Sequence, residues 1–82
     1  MTTEDDMAAY LEAELEDGDP ELIAAALGDI ARAKGMSQIA RETGLGRESL
    51  NKALSPHGNP EFSTVVKVVR ALGLRLHAAA DV

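Results

Sequence analysis

The sequence predicts a small all-α domain of five helices, and three observations support this fold class. The chain has 82 residues, which is room for a single hydrophobic core. Hydrophobic residues make up 45% of the chain but aromatic residues only 2%, so the core must be aliphatic and rich in alanine, which favours packed helices over a β-sandwich. Glycines and prolines also divide the chain into five segments whose apolar residues recur at helical spacing.

The first two helices have clear start and stop signals. We expect the first over residues 3–17, because a threonine precedes an acidic residue by three positions and Gly18 follows. The second begins at Asp19-Pro20-Glu21, which supplies an N-cap acceptor, a proline at the first helical position and an acid in the first turn, and it ends at Gly35. Gly28 lies inside this helix, where glycine costs about 1 kcal/mol relative to alanine. We interpret it as a point of close approach by a neighbouring helix.

The remaining helices are shorter. Two are expected over residues 37–43 and 47–54, joined by Gly44-Leu45-Gly46. Asn59-Pro60-Glu61 repeats the pattern that begins the second helix and predicts a fifth helix, which Gly73 ends. The apolar side of this fifth helix consists of Phe62, Val65, Val66, Val69 and Leu72.

Charge is distributed unevenly along the chain. The formal net charge is −6, but residues 1–21 carry nine acidic residues and no basic ones, whereas residues 22–82 carry five acids and eight bases, a net of +3. Gly18 divides the chain into an acidic N-terminal helical arm, residues 1–18, and a domain with a C-terminal tail, residues 19–82, whose bases all lie after residue 21. Such asymmetry indicates nucleic-acid contact by one part and another role for the other. A solvated acidic helix is the alternative interpretation.

Several classes of protein are excluded by what the sequence lacks. There is no cysteine, and His57 and His77 lie twenty residues apart, so we expect no metal site and no cofactor. No glycine-rich phosphate loop, HExxH or GxSxG motif occurs, so we expect no enzymatic activity. No apolar run approaches the roughly 20 residues of a membrane span, and the acidic start differs from a signal peptide, so we expect a cytoplasmic protein.

Residues 36–55, MSQIARETGLGRESLNKALS, have the pattern of a helix-turn-helix. Ala40 is small where the second helix would cross the first, and Gly44, four residues later, tolerates the positive φ of the turn. Inward positions that would hold the two helices together are occupied by Ile39, Thr43, Leu45, Leu50 and Ala53. Two ordinary amphipathic helices in a bundle are the alternative, but the shortness of the first helix and the local basic charge favour the motif.

The motif and its flanking helices, residues 19–34 and 59–72, resemble the Cro/repressor-like (Xre-type) DNA-binding domain. More narrowly, residues 10–77 resemble the HigA-type antitoxins of addiction modules, through the combination of IARETGL, ESL-x-KALS and GNPEF. The resemblance implies a dimeric operator-binding protein that represses its own toxin–antitoxin operon. It also implies that the protein neutralises a small toxin of the RelE/ParE-like superfamily by binding it. A prophage-type regulator without a toxin, or a helical interaction protein that does not bind DNA, would be the competing functions.

The second motif helix supplies the candidates for reading bases, because its N-terminal end would enter the major groove. The guanidinium of Arg47 can bind guanine O6 and N7, and Asn51 is best matched to adenine. Glu48 could accept a hydrogen bond from cytosine N4 or cap the helix. Many Xre-type domains have an aromatic residue at the position of Asn51, so the operator sequence does not carry over from the family.

The other candidates would contact phosphates, which positions a protein without reading sequence. We expect this role for Arg41, Ser49 and Lys52. Gln38 is a further candidate, although it lies two residues beyond the place of the phosphate-contacting glutamine in many Xre-type domains.

Apolar residues of the acidic arm are the candidates for contact with the toxin. Toxins of this superfamily are usually basic, as the resemblance implies, and an acidic arm would be attracted to them. The apolar anchor of a helix-in-groove contact would be Met7, Tyr10, Leu11 and Leu15. The alternative is that these side chains cover the protein's own core.

The tail provides a candidate interface for a homodimer. A single short recognition helix covers few bases, so two copies are expected on half-sites about one helical turn apart. Residues 74–78 alternate apolar and polar side chains, which allows a short C-terminal strand. Leu74, Leu76 and Ala78 would share one face of a strand that pairs with the same strand of a second copy.

Overall fold

The computed structural model describes residues 3–81, and this part of the chain is all-helical, as predicted. Its helices are α1 (Glu4–Asp17), α2 (Pro20–Lys34), α3 (Met36–Thr43), α4 (Arg47–Ala53) and α5 (Phe62–Ala71). Helix α2 packs against α1, α3 and α5, and α3 also packs against α4 and α5. Helices α2 and α3 therefore form the centre of the fold. None of the helices described has the length and hydropathy needed to span a bilayer.

Helices α1 and α2 begin as their capping residues predict. The Thr3 hydroxyl oxygen accepts a hydrogen bond from the backbone N–H of Asp6 at 3.1 Å. The Asp19 carboxylate accepts one from the backbone N–H of Glu21 at 2.9 Å, and Pro20 occupies the first turn. In each case a side-chain oxygen satisfies a backbone donor that has no partner within the helix. The expected stops at Gly18 and Gly35 are also confirmed.

The core is aliphatic and alanine-rich, as expected from the composition. Its largest fully buried side chains come from α2 to α5 and the residues that follow α4 and α5: Leu27, Ile30, Ile39, Leu50, Leu54, Val68, Val69 and Leu72. Within residues 3–81 no polar or charged residue is buried. Burial of apolar surface is therefore the main source of stability in this fold.

The start of α5 differs from the prediction. The helix begins at Phe62, and Glu61 occupies the cap position without a side-chain hydrogen bond, so Asn59-Pro60-Glu61 does not repeat the capping at Asp19. The buried stripe of α5 is centred on Val68, Val69 and Leu72. Phe62, which was placed on the apolar side of this helix, is 76% exposed and does not share the burial of Val69 and Leu72.

The possible C-terminal strand is absent from the described part of this single chain. Residues 74–81 have no regular secondary structure. The backbone N–H of Leu74 donates to the carbonyl of Val69 at 3.1 Å, and the Leu74 side chain packs against the core, whereas Leu76 and Ala78 are exposed. A strand needs a neighbouring strand to pair its backbone groups, and the described part of this single chain offers none.

Helix α1 is packed on the body of the protein. Met7 and Leu11 are 7% and 5% exposed and belong to the same core cluster as Leu27 of α2. Met7 and Leu11 therefore cover the protein's own core, which was the alternative to a contact with the toxin. Leu15, one turn beyond Leu11, is 43% exposed.

Gly28 is the point of close approach that the sequence predicts. A Cβ atom at this position would overlap the backbone carbonyl oxygen of Leu54, the residue that caps α4. It would also lie 2.8 Å from the guanidinium of Arg32. The absence of a side chain at Gly28 therefore lets the end of α4 rest directly on the backbone of α2.

Replacing Leu11 by alanine should lower the free energy of unfolding by about 2–4 kcal/mol, because it opens a cavity between α1 and α2. The matched control is Leu15→Ala, which removes the same atoms from a largely exposed position and should cost less than about 1 kcal/mol. Urea unfolding followed by circular dichroism measures both values. Equal losses for the two variants would contradict the packing of α1 described here.

Gly28→Ala should destabilise the protein by about 1–3 kcal/mol, although alanine is the better helix former by about 1 kcal/mol, because the added methyl group overlaps Leu54. Gly46→Ala is the control. Gly46 has φ −68°, and a Cβ atom there would make only an ordinary van der Waals contact with the Ser49 hydroxyl at 3.8 Å, so this change should stay within about 1 kcal/mol of the parent. Thermal unfolding of the two variants compares them, and a stabilised Gly28→Ala protein would refute the close approach.

Candidate nucleic-acid interface

Helix α4 buries one of its own side chains and presents its polar residues to solvent. Leu50 is 1% exposed and is the only buried residue of this seven-residue helix. The candidates on α4 are all exposed: Arg47, Glu48, Ser49, Asn51 and Lys52. One short helix therefore carries two cations, one carboxylate, one hydroxyl and one amide at the protein surface.

The connection between α3 and α4 has the local structure that its sequence predicts. Gly44 has φ 73° and ψ 14°, the left-handed conformation that favours glycine. The backbone N–H of Leu45 donates to the carbonyl of Ala40 at 3.2 Å. The hydroxyl of Thr43, which is half-buried, donates to the carbonyl of Ile39 at 2.8 Å. These bonds satisfy carbonyl groups at the end of α3.

The two candidates on α3 differ in their surroundings. Arg41 is exposed. Gln38 is exposed too, but its side-chain N–H₂ donates to the carboxylate of Glu42 at 3.2 Å. A negative charge so close to Gln38 would repel an approaching phosphate. The electrostatics of this face of α3 therefore favour Arg41 over Gln38 as an anion contact.

Asn51 has a partner that the sequence analysis missed. The side chain of Arg32, on α2, donates two hydrogen bonds to the Asn51 carbonyl oxygen, from Nε at 3.1 Å and from Nη2 at 2.8 Å. A signal for this contact existed in the sequence. Arg32 lies one helical turn after Gly28, so it shares the face of α2 that was predicted to meet a neighbouring helix.

Arg32 is also connected to α1. Its guanidinium lies 3.7 Å from the carboxylate of Asp29, and both side chains are largely exposed, so this ion pair adds little stability by itself. The same carboxylate accepts a hydrogen bond from the Tyr10 hydroxyl at 2.9 Å. That hydrogen bond, with a smaller contribution from burial, raises the pKa of Tyr10 above its usual value. A chain of polar contacts thus joins α1, α2 and α4.

The remaining candidates for the toxin contact lie on α1. Tyr10 is half-buried and packs against the core, and its hydroxyl is bound to Asp29, so it does not point freely outward. Leu15 lines a groove of about 670 Å³ between α1 and residues 74–81. Leu11, Glu12 and Glu16 line the same groove. The α1 side of this groove is acidic and apolar, and its other side includes Arg75 and His77 of the tail.

Across residues 3–81, no group of three or more His, Cys, Asp or Glu side chains is arranged to hold a metal ion.

Comparison with known proteins identifies the family. A family model described as "probable addiction module antidote protein" matches residues 1–80. The chain is 55% identical over 75 residues to an uncharacterised protein of Haemophilus influenzae, an alignment that covers 92% of this chain and 77% of that relative. No solved structure matches the chain. Because the family model spans nearly the whole length of the molecule, the chain belongs to the family of probable addiction module antidote proteins.

Proposed function

We propose that this antidote protein acts in two ways. It neutralises a small toxin of the RelE/ParE-like superfamily by direct binding, and it represses its own operon in the cytoplasm through a helix-turn-helix formed by α3 and α4. Membership of the antidote family supports the first activity, since an antidote has a toxin as its partner. The observation that carries the second is the exposed polar surface of α4, anchored on the core through Leu50.

The charge of the body supports a DNA contact at α4. Arg47 and Lys52 are exposed on α4, and Arg41 is exposed on the preceding helix. Phosphate contacts by such cations supply most of the affinity of DNA-binding proteins and make it depend on salt. We assign base reading to Arg47 and Asn51, with Glu48 at the start of the same helix, and phosphate contact to Arg41, Ser49 and Lys52. Gln38 is the weakest of the proposed contacts because of its bond to Glu42.

The toxin contact is best assigned to the outer side of α1. Met7 and Leu11 hold α1 on the core, and a partner cannot surround them while α1 stays in place. Leu15 provides an exposed apolar anchor, and Glu12 and Glu16 beside it provide negative charge. A basic toxin would be attracted to this surface, and the acidic helix would in turn be repelled by DNA phosphates. The two proposed activities therefore use different helices.

The DNA-bound form is proposed to be a homodimer. A seven-residue helix contacts only a few base pairs, and two copies on adjacent half-sites would double the number of bases that are read. We do not assign the contact between the two copies to the tail, because Leu74, one of its three candidate side chains, packs against the core of its own chain.

Substitutions on α4 separate base reading from phosphate contact. Arg47→Ala should lose about 1–3 kcal/mol of discrimination between the DNA upstream of its gene and random duplex DNA. Lys52→Ala should weaken binding to both DNAs alike and reduce the slope of log affinity against log salt by about one. Fluorescence anisotropy over a series of salt concentrations measures both effects. If both variants lost specific and random binding equally, the assignment of base reading to Arg47 would be wrong.

Removing charge from the outer side of α1 tests the toxin contact. The double variant Glu12→Gln/Glu16→Gln should associate with the protein encoded by the neighbouring gene at least about threefold more slowly at low salt, and the difference should shrink as salt is added. Stopped-flow mixing measures the rates. Glu61→Gln, which neutralises an exposed acid just before α5, is the matched control and should leave the rate unchanged. An unchanged rate in the double variant would remove α1 from the proposed interface.

A further inference from the structure

We propose that Arg32 determines which base Asn51 reads. By holding the Asn51 carbonyl oxygen, Arg32 leaves only the amide N–H₂ of Asn51 to face DNA, so Asn51 acts as a hydrogen-bond donor to guanine or thymine and does not select adenine. This inference rests on the proposed DNA-binding role of α4. It goes beyond that role because Arg32 belongs to α2, outside the predicted helix-turn-helix.

The orientation of the Asn51 amide follows from the chemistry of its partner. A guanidinium carries only donors, so the group that faces it must be an acceptor. Both Nε and Nη2 of Arg32 lie within hydrogen-bond distance of the same Asn51 oxygen, at 3.1 and 2.8 Å. A flipped amide would place its N–H₂ against these N–H groups and lose both bonds. The carbonyl oxygen therefore points to α2 and the N–H₂ points away from Arg32.

Two further contacts keep Arg32 and Asn51 at this distance. Gly28, one turn before Arg32 on α2, allows the carbonyl of Leu54 to rest on the backbone of α2, three residues after Asn51. On the other side of Arg32, the carboxylate of Asp29 lies 3.7 Å from its guanidinium. The approach of the two backbones thus sets the separation, and the carboxylate restrains the direction of the guanidinium.

The orientation of the Asn51 amide predicts which bases it prefers, because the bases differ in the donors and acceptors that they expose in the major groove. To read adenine, an asparagine must donate to N7 and accept from the N6 amino group at the same time. In this structure the Asn51 oxygen already accepts two hydrogen bonds from the Arg32 guanidinium, and turning that oxygen toward adenine N6 would break both of them. Guanine offers acceptors at O6 and N7, and thymine offers O4, so these bases suit the free N–H₂. Adenine retains only its N7 acceptor.

The test uses the full chain and a pool of duplexes with a random central sequence. Bound duplexes are selected and sequenced for the parent protein and for Asn51→Ala. The position whose preference disappears in Asn51→Ala is the one that Asn51 reads. We expect the parent to select guanine or thymine there. Arg32→Met, which keeps the aliphatic stem without the donors, should shift that position toward adenine by about tenfold relative to guanine, since it frees the acceptor for a bidentate contact.

Two further variants distinguish the effect of the Arg32 hydrogen bond from the effect of losing a positive charge. Arg32→Lys keeps a charged donor and should retain the preference of the parent at this position. Arg70→Met removes an equal charge from an exposed arginine of α5 and should leave the preference unchanged. A merely structural role of Arg32 would lower affinity for all sequences without changing the base at one position.

Distinct outcomes overturn the two proposals. If the parent protein selects no sequence at all, the proposed DNA-reading function of α4 is wrong, and the assignment to Arg32 falls with it. If the parent selects a clear motif but has adenine at the Asn51 position, or if a folded Arg32→Met keeps guanine or thymine there, the role of Arg32 is refuted while DNA binding stands. The selection with the parent protein is sufficient by itself if Arg32→Met does not fold.

Discussion

The position of α4 depends on the close contact between its C-terminal end and two glycines, Gly28 and Gly58. A seven-residue helix is too short to be stable alone in water, so α4 exists because the rest of the fold holds it. Leu50 and Leu54 enter the core, and the carbonyl of Leu54 rests on Gly28. On another side, a Cβ atom at Gly58 would overlap the carbonyl of Ala53. Two glycines from different segments thus enclose the end of α4, and larger residues at either position would move it.

Much of the fold could be predicted from the sequence because its signals are local. Capping at Thr3 and Asp19 and the left-handed turn at Gly44 depend on residues within four positions of each other. The start of α5 could not be predicted in the same way. Asn59-Pro60-Glu61 has the composition of a helix start, but residue 61 keeps an extended backbone with ψ 153° and the helix begins after it. The tail is a second such case. Its apolar and polar residues alternate as in a strand, but the described part of the chain offers no neighbouring strand to pair with.

In the candidate site, too, local features could be predicted from the sequence and contacts between distant segments could not. Exposure of Arg47, Asn51 and Lys52 follows from the burial of Leu50, which the apolar pattern indicates. The sequence could indicate that Arg32 faces a neighbouring helix, because it lies one turn after Gly28, but it could not identify Asn51 as the partner. That partner depends on the relative placement of two helices that are not adjacent in sequence. The burial of Met7 and Leu11 is a similar case: their helical spacing was evident, but not the surface against which they pack.

The arrangement of α4 also bears on how such a protein can diverge during evolution. Substitutions at exposed positions usually change stability by less than about 0.5 kcal/mol, and within α4 only Leu50 is buried. The exposed positions of this helix can therefore vary while the core stays the same. Duplicated copies of such a gene could acquire distinct surfaces on α4 without first passing through an unstable intermediate, provided that Gly28, Leu50 and Gly58 are retained. Paralogues in one genome could in this way come to recognise different targets.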